Sequence, residues 1–411
     1  MKHRWGFGLG ILLFVALTLG MPVQGFAQTN SSLSNLEAKA YFMMDYETGT
    51  ILAEEKSETK RPPASMTKLM TAFLVLDEIK AGKLKWEDQV KIGKRPGALT
   101  GEPVPFKTGT QETVRDLVTA MMVKSSNSAA VALAEHIGQT EDQFADMMNQ
   151  KAKQLKMHQT KFFTASGLDK ASYKEFAPKN GVDNRMSAHD TAILARELMK
   201  QHGEILDITK QAKVTIHVGE TKQKLENTND MLSPKNKYYV DEVDGLKTGF
   251  TDEAGACFVG TAKKGNMRLI TVVMKSSKSG RFKATKKLLT YAFDNYQVKP
   301  LKKAGESIAK SENLTIPNGV ERTVPMVLEK DLQFPIHKGE ESKYTFQVTK
   351  DHVQAPIKKG QTLGKIKVLY NGQEVKGLEP FKLVAQTDVE EASSIRLFFR
   401  EIGDTISGWF S

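Results

Sequence analysis

The sequence predicts an α+β fold: a sheet with a helical insertion, then a small all-β domain and a terminal amphipathic helix. Three observations carry that reading. A hairpin pattern with a glycine-containing turn lies near the start, a run of helical periodicity follows, and β-rich runs return only after residue 205. From about residue 298 the texture shifts to short strands and turns, with Asn371-Gly372 as the strongest hairpin signal in the chain. At the end, Ile395, Phe398, Phe399, Ile402, Ile406, Trp409 and Phe410 fall on one helical stripe.

A length of 411 residues fits one large and one small domain. Ahead of them, Lys2 and Arg4 precede an apolar run at residues 7–19, and Gly25-Phe26-Ala27 has the small-x-small form of a cleavage site. Residues 1–27 therefore read as an export signal, with an apolar run short for a membrane span. Gln28 would begin the mature chain, and without Lys2 and Arg4 the net charge falls from +11 to +9. The basic charge of an exported protein fits attraction to anionic lipid or an anionic wall polymer and, equally, general solubility; no basic–aromatic stripe supports nucleic acid. Cys257 is the only cysteine, so no intrachain disulfide is available and core size must supply stability. The eight histidines show no metal-ligand spacing, so neither a metal nor another cofactor is expected.

Taken in order, residues 40–45 and 50–53 form the hairpin around Gly49. Pro62 and Pro63 stop it, because a residue before proline avoids the helical region. Leu69, Met70, Ala72, Phe73, Val75, Leu76 and Ile79 then nearly encircle a helix, which marks it as buried. Further helices are predicted from Val114, over residues 129–137, 144–155 and 187–199. Strands are predicted at 214–218, 239–240, 257–262 and 267–274, and a closing helix at 284–296. In the small domain, residues 323–328, 343–348 and 362–370 read as strands. The domain limits are 28–297, 298–387 and, for the terminal helix, 388–411.

The first turn of the greasy helix carries Ser65 and Lys68, whose i, i+3 spacing puts a hydroxyl and an amine on one face. A lysine rooted in a buried helix must find a polar cleft or lose its charge. Neutral, it is a base beside a nucleophile. Ser57/Lys60 and Ser307/Lys310 repeat the spacing, but in charged or linker segments that read as solvated surface. Two more triplets follow the pair in order: Ser125-x-Asn127 between helical segments, and Lys247-Thr248-Gly249 on a predicted edge strand, where glycine lets another backbone approach. A second Lys-Thr-Gly, at Lys107, reads as a turn. No Gly-x-Ser-x-Gly elbow is present.

Ser-x-x-Lys, Ser-x-Asn and Lys-Thr-Gly in that order form the motif set of penicillin-binding proteins and class A β-lactamases. The chain resembles the serine-type D-alanyl-D-alanine carboxypeptidases, the low-molecular-mass penicillin-binding proteins, from about Ala40 onward. Asp45 with Gly49, Pro63-Ala64, Ser166-Gly167-Leu168-Asp169 and Gly280-Arg281 add to the likeness. The resemblance implies a transpeptidase-like domain with an antiparallel sheet. It implies attack by Ser65 on the penultimate D-alanine carbonyl, with Lys68 as base; burial beside Lys247 would lower its pKa from about 10.4. Ser125 would relay the proton, and Asn127 would bond the substrate backbone. The N–H groups of Ser65 and Phe250 would form the oxyanion hole. Lys247, Thr248 and Arg281, beside Gly249, would hold the leaving D-alanine's carboxylate.

His189 and Phe250 stand where some relatives carry Arg and His. Asn227 and Asn229 match a segment near the site, while Asp169 and Asp190 read as structural. The expected partners are stem peptides ending in D-Ala-D-Ala, β-lactams, and the outer face of the cytoplasmic membrane through the terminal helix. A β-lactamase is the first alternative, but residues 166–169 offer no deacylating glutamate. A non-hydrolytic penicillin-binding sensor is the second.

Overall fold

The structure is a computed structural model describing residues 33–99, 103–168, 173, 177–178, 181–308 and 313–407. The export signal, Asp169, Trp409 and Phe410 lie outside those residues.

The large domain is organised on a five-stranded antiparallel sheet: β1 (Ala40–Asp45), β2 (Ile51–Glu55), β3 (Val243–Thr251), β4 (Gly255–Lys264) and β5 (Met267–Ser276), in the order β2-β1-β5-β4-β3. The first hairpin thus pairs with the last one, Met43 facing Thr271, and almost two hundred residues are inserted between them. All six residues of β1 are buried, because both faces of the sheet are covered. Phe42, Met44, Val259, Ile270 and Val272 share a core with the inserted helices. On the other face Phe258 packs edge-on to Phe282 of the closing helix, Gly280–Asn295.

Within the insertion lie α1 (Lys68–Lys80), α2 (Asn127–Gly138), α3 (Glu141–Gln154) and α4 (Ala188–Gln201). Residues Lys68 to Leu76 of α1 are all buried, as its encircling apolar pattern requires. Thr140 and Ser187 cap α3 and α4 by accepting from Gln143 and Asp190 N–H groups.

Three expectations need correction. Residues 239–240 are not a strand but irregular chain ahead of the turn that leads into β3; Val240 N–H donates to the Met231 carbonyl and its own carbonyl accepts from Val243 N–H. The closing helix starts four residues before Ala284 and stops at Asn295, since Tyr296 is extended and opens a strand, Tyr296–Lys302. Ser65 itself sits in a 3₁₀ turn, Ala64–Thr67, ahead of the α-helix proper.

The small domain is all-β, with a sheet ordered Asn313–Thr315, Thr323–Leu328, Phe381–Ala385, Thr362–Tyr370, Tyr344–Lys350. Asn371 and Gly372 both take positive φ, 50° and 78°, as a two-residue hairpin demands. A terminal helix, Ser394–Ser407, closes the described chain.

Candidate active site

The 3₁₀ turn explains how Ser65 and Lys68 meet. Side chains at i and i+3 eclipse in that geometry, more closely than on an α-helix. Lys68 Nζ lies 2.8 Å from Ser65 Oγ, 2.6 Å from Asn127 Oδ1 and 2.8 Å from the Ser166 carbonyl oxygen. The amine is 0% exposed. Just before the serine, Ala64 is held at φ +47°, in the left-handed region that a side chain resists. Its carbonyl is pressed against Gly167, where a Cβ would come within 2.0 Å of it. Backbone strain of this kind is concentrated at functional sites.

Ser125 arrives by a different device. A π-helical turn, Ala120–Lys124, ends on Ser125 at φ +67°, and the chain then restarts as α2. The unwound turn projects Ser125 and Asn127 toward α1 from the side. β3 closes the third side as an edge strand. A Cβ on Gly249 would stand 2.8 Å from the Pro63 carbonyl and 3.3 Å from Ala64 Cβ, so only glycine lets this strand touch the serine turn.

These elements enclose a cavity of about 270 Å³ lined by Ser65, Ser125, Asn127, Gly167, Thr228, Thr248, Gly249, Phe250 and Arg281, among others. Lys68 and Lys247 are buried behind this lining, the latter donating to the Thr248 carbonyl at 3.0 Å. Burial, then the neighbouring Lys68 and Arg281 charges, push the Lys247 amine well below the ordinary lysine range. Arg281 donates to the Gly249 carbonyl at 3.1 Å and lies against the Phe282 ring. Phe250 is 46% exposed at the cavity mouth, with Lys278 Nζ 4.7 Å from its ring centroid.

All nine residues singled out in the sequence come together here. Two features were not legible. Thr228 lines the cavity and shares a 2.7 Å hydrogen bond with Thr248. The signal was its position between Asn227 and Asn229, whose side chains tie the loop to Thr209, Gln211 and Gly245. Asn127, expected to face substrate, also engages Lys68 through its side-chain oxygen.

His189 is outside the cavity lining, 2.6 Å from Glu58, and Asp190 accepts from Gln159 N–H and Thr160 hydroxyl, a structural role. Glu58, His189 and Asp190 are close enough to be tested as metal ligands, but Asp190 is already bonded and nothing else marks a site. A glutamate does stand behind residues 164–168, supplied by α3: Glu141, fully buried and not lining the cavity.

A sheet edge closing on a cavity-lining serine bonded to a buried lysine amine is an architecture that suits a serine-type peptidase. Residues 27–278 match the peptidase S11 family, described as D-alanyl-D-alanine carboxypeptidase, and residues 296–391 match the penicillin-binding protein 5 C-terminal domain. The chain belongs to the peptidase S11 D-alanyl-D-alanine carboxypeptidase family. It is 32% identical over 403 residues to the D-alanyl-D-alanine carboxypeptidase DacF of Bacillus subtilis, covering 96% of this chain and 98% of that one. Penicillin-binding protein 5 of Haemophilus influenzae superposes with a TM-score of 0.72 at 31% identity, over 87% and 98% of the two chains. Penicillin-binding protein D2 of Listeria monocytogenes, in its ampicillin-bound form, superposes with a TM-score of 0.54 at 35% identity, over 63% and 99%.

Proposed function

We propose that this chain removes the terminal D-alanine from peptidoglycan pentapeptide stems through an acyl-enzyme on Ser65, and that β-lactams acylate the same serine. The observation that carries the reading is the environment of the Lys68 amine. A neutral amine has two N–H donors and one lone pair. Asn127 Oδ1 and the Ser166 carbonyl can only accept, so they take the two donors. The lone pair then faces Ser65 Oγ, from which it receives the proton as the oxygen attacks. Lys247 and Lys68 repel each other, so the pair sheds a proton more readily than either alone.

Ser125, on the cavity wall, passes that proton to the departing amine. Asn127 and Thr248 hold the peptide, and the N–H groups of Ser65 and Phe250 stabilise the oxyanion, each worth about 3 kcal/mol. Lys247, Thr248 and Arg281 receive the terminal carboxylate, for which two buried or half-buried cations are a strong attractor. The resemblance to a penicillin-binding protein solved with ampicillin supports the β-lactam reading. D-alanine release from a peptide ending in D-Ala-D-Ala tests the proposal. Wild type releases it and Ser65→Ala does not; equal release by both would reject Ser65 as nucleophile.

The β-lactamase alternative is weakened by Glu141. Among the described residues it is a glutamate bonded to that segment, through Ala165 and Tyr173, but it is sealed from the cavity behind Ser166. A penicilloyl-enzyme persisting for minutes separates carboxypeptidase from lactamase. D-alanine release separates the enzyme from a non-hydrolytic sensor.

The enzyme further acts at the outer face of the cytoplasmic membrane, exported by residues 1–27 and held by the terminal helix. Ile395, Phe398, Phe399 and Ile402 of that helix are 41–72% exposed on its apolar stripe. Its polar side bonds the small domain through Arg400 to the Gly319 and Val320 carbonyls and through Asp404 to Arg322. Among the described residues no helix is long and apolar enough to cross a membrane. An apolar face turned outward from a polar seat suits a helix lying in the lipid interface.

A further inference from the structure

The mechanism above needs the Ser166 carbonyl to stay where it takes one Lys68 N–H. Ser166 belongs to a loop, and loops hold a geometry only as well as they are tied. The tie is a buried chain of hydrogen bonds that the sequence gives no hint of, since its members are 25 and 32 residues apart. Ser166 Oγ accepts from Leu168 N–H at 3.2 Å and lies 2.8 Å from the Tyr173 hydroxyl. Tyr173 donates to Glu141 Oε1 at 2.6 Å, and Ala165 N–H donates to the same oxygen at 2.9 Å. Arg95 approaches the other oxygen at 3.3 Å. Ser166, Tyr173 and Glu141 are 0%, 1% and 0% exposed.

Resting on the reading of Lys68 as base, we propose that Glu141 is a positioning residue: acting through Tyr173 and the Ala165–Ser166 peptides, it sets the carbonyl that aims the Lys68 lone pair at Ser65. The direction of the chain follows from chemistry. A carboxylate is acceptor-only, so the phenol must donate to it. The phenol oxygen then accepts from Ser166 Oγ–H, and Ser166 Oγ in turn accepts from Leu168 N–H. With the carboxylate ionised, every proton in the run points toward Glu141, and Ser166 Oγ is held by Leu168 N–H on one side and the Tyr173 hydroxyl on the other. Burial and the adjacent carboxylate push the Tyr173 phenol well above its ordinary range, so it remains a donor across the working pH. Glu141 grips both the loop's backbone, at Ala165, and its side chain, at Ser166. On the α1 side, Thr71 hydroxyl donates to the Ala165 carbonyl at 2.6 Å, so Ala165, the residue before the critical carbonyl, is held through both its N–H and its C=O.

The test uses the full chain and four proteins: wild type, Tyr173→Phe, Glu141→Gln and Lys68→Ala. Fluorescent-penicillin titration counts acylatable sites. Intact-mass time courses with benzylpenicillin give the acylation rate per site, and D-alanine release gives kcat and KM. The expected result for Tyr173→Phe and Glu141→Gln is a fall of tenfold or more in acylation rate per site and in kcat, since a small misplacement of a catalytic group can cost up to about a hundredfold. The peptide KM and the acylatable fraction stay at wild-type values.

A merely structural role would lower the acylatable fraction and leave the rate per site intact; that outcome overturns the proposal, as does a wild-type rate. If Glu141→Gln does not fold, Tyr173→Phe decides alone, because it leaves the carboxylate bonded to Ala165 and Arg95. Lys68→Ala separates the two levels. If it is acylated normally, the base assignment fails; if it is dead while both other variants are normal, only the positioning role fails.

Discussion

Gly249→Ala tests the contact between the edge strand and the serine turn. One methyl group is added where β3 touches the backbone of residues 63–66. The new Cβ would lie 2.8 Å from the Pro63 carbonyl oxygen and 3.3 Å from Met66 N, against about 3.4 Å for ordinary contact. The obstacle is backbone, so β3 and the serine turn must part by roughly half an ångström. The Phe250 N–H rides on the strand and the Ser65 N–H on the turn, and the displacement opens the gap between these two proposed oxyanion donors. Losing one such donor costs about 2.7–4 kcal/mol in the transition state, and partial misalignment a fraction of that. We expect acylation by benzylpenicillin to slow about 10- to 100-fold, with a stability loss of about 1–3 kcal/mol from overpacking. Gly203→Ala is the control, since its methyl would meet only the Met199 carbonyl at 3.5 Å. Stopped-flow acylation and urea unfolding measure the two effects. Wild-type acylation by Gly249→Ala would refute the argument that this glycine sets the oxyanion geometry.

Other expectations follow from single features. Burial, then the coupling to Lys68 and the Arg281 charge, depress the Lys247 amine, so kcat/KM for a peptide with a free terminal carboxylate falls as pH rises through a value well below about 10.4. A limb at the ordinary lysine value, or an equal limb with the C-terminal amide, would remove Lys247 from carboxylate binding. The same shift makes folding stability rise with pH between the depressed value and the ordinary one, because the unfolded chain holds the extra proton there. Cys257 is 0% exposed and its thiol is pushed up to about 11 by burial; iodoacetamide should leave the native protein unlabelled and label it fully in urea. Removing residues 394–411 releases the protein from membrane fractions with D-alanine release intact. Val389 must be retained, since it pairs with Ile357 in the small-domain core.

The sequence by itself determined the chemistry and the classes of element. Residue type and order suffice for that: an apolar run of period 3.6 buries its helix wherever it lies, and Asn371-Gly372 turns a hairpin on its own dihedrals. The three motifs identified seven of the nine residues that line or underlie the cavity, because each is a short local pattern; Phe250 and Arg281 came only with the family resemblance. Only the tertiary structure decided what depends on segments far apart in the chain. Ser65 lies in a 3₁₀ turn because Gly167 and Gly249, 102 and 184 residues later, press on that turn; no local window contains them. Thr228 joins the cavity only when β3 brings Thr248 to it. Residues 239–240 look like a strand by composition, yet are irregular chain between two turns, where Val240 N–H bonds the Met231 carbonyl. Glu141 lies three residues ahead of the helix predicted at 144–155, and the structure makes it the first residue of α3. Its place behind Lys68 exists because a buried carboxylate must find donors, and the fold supplies them from Ala165, Tyr173 and Arg95.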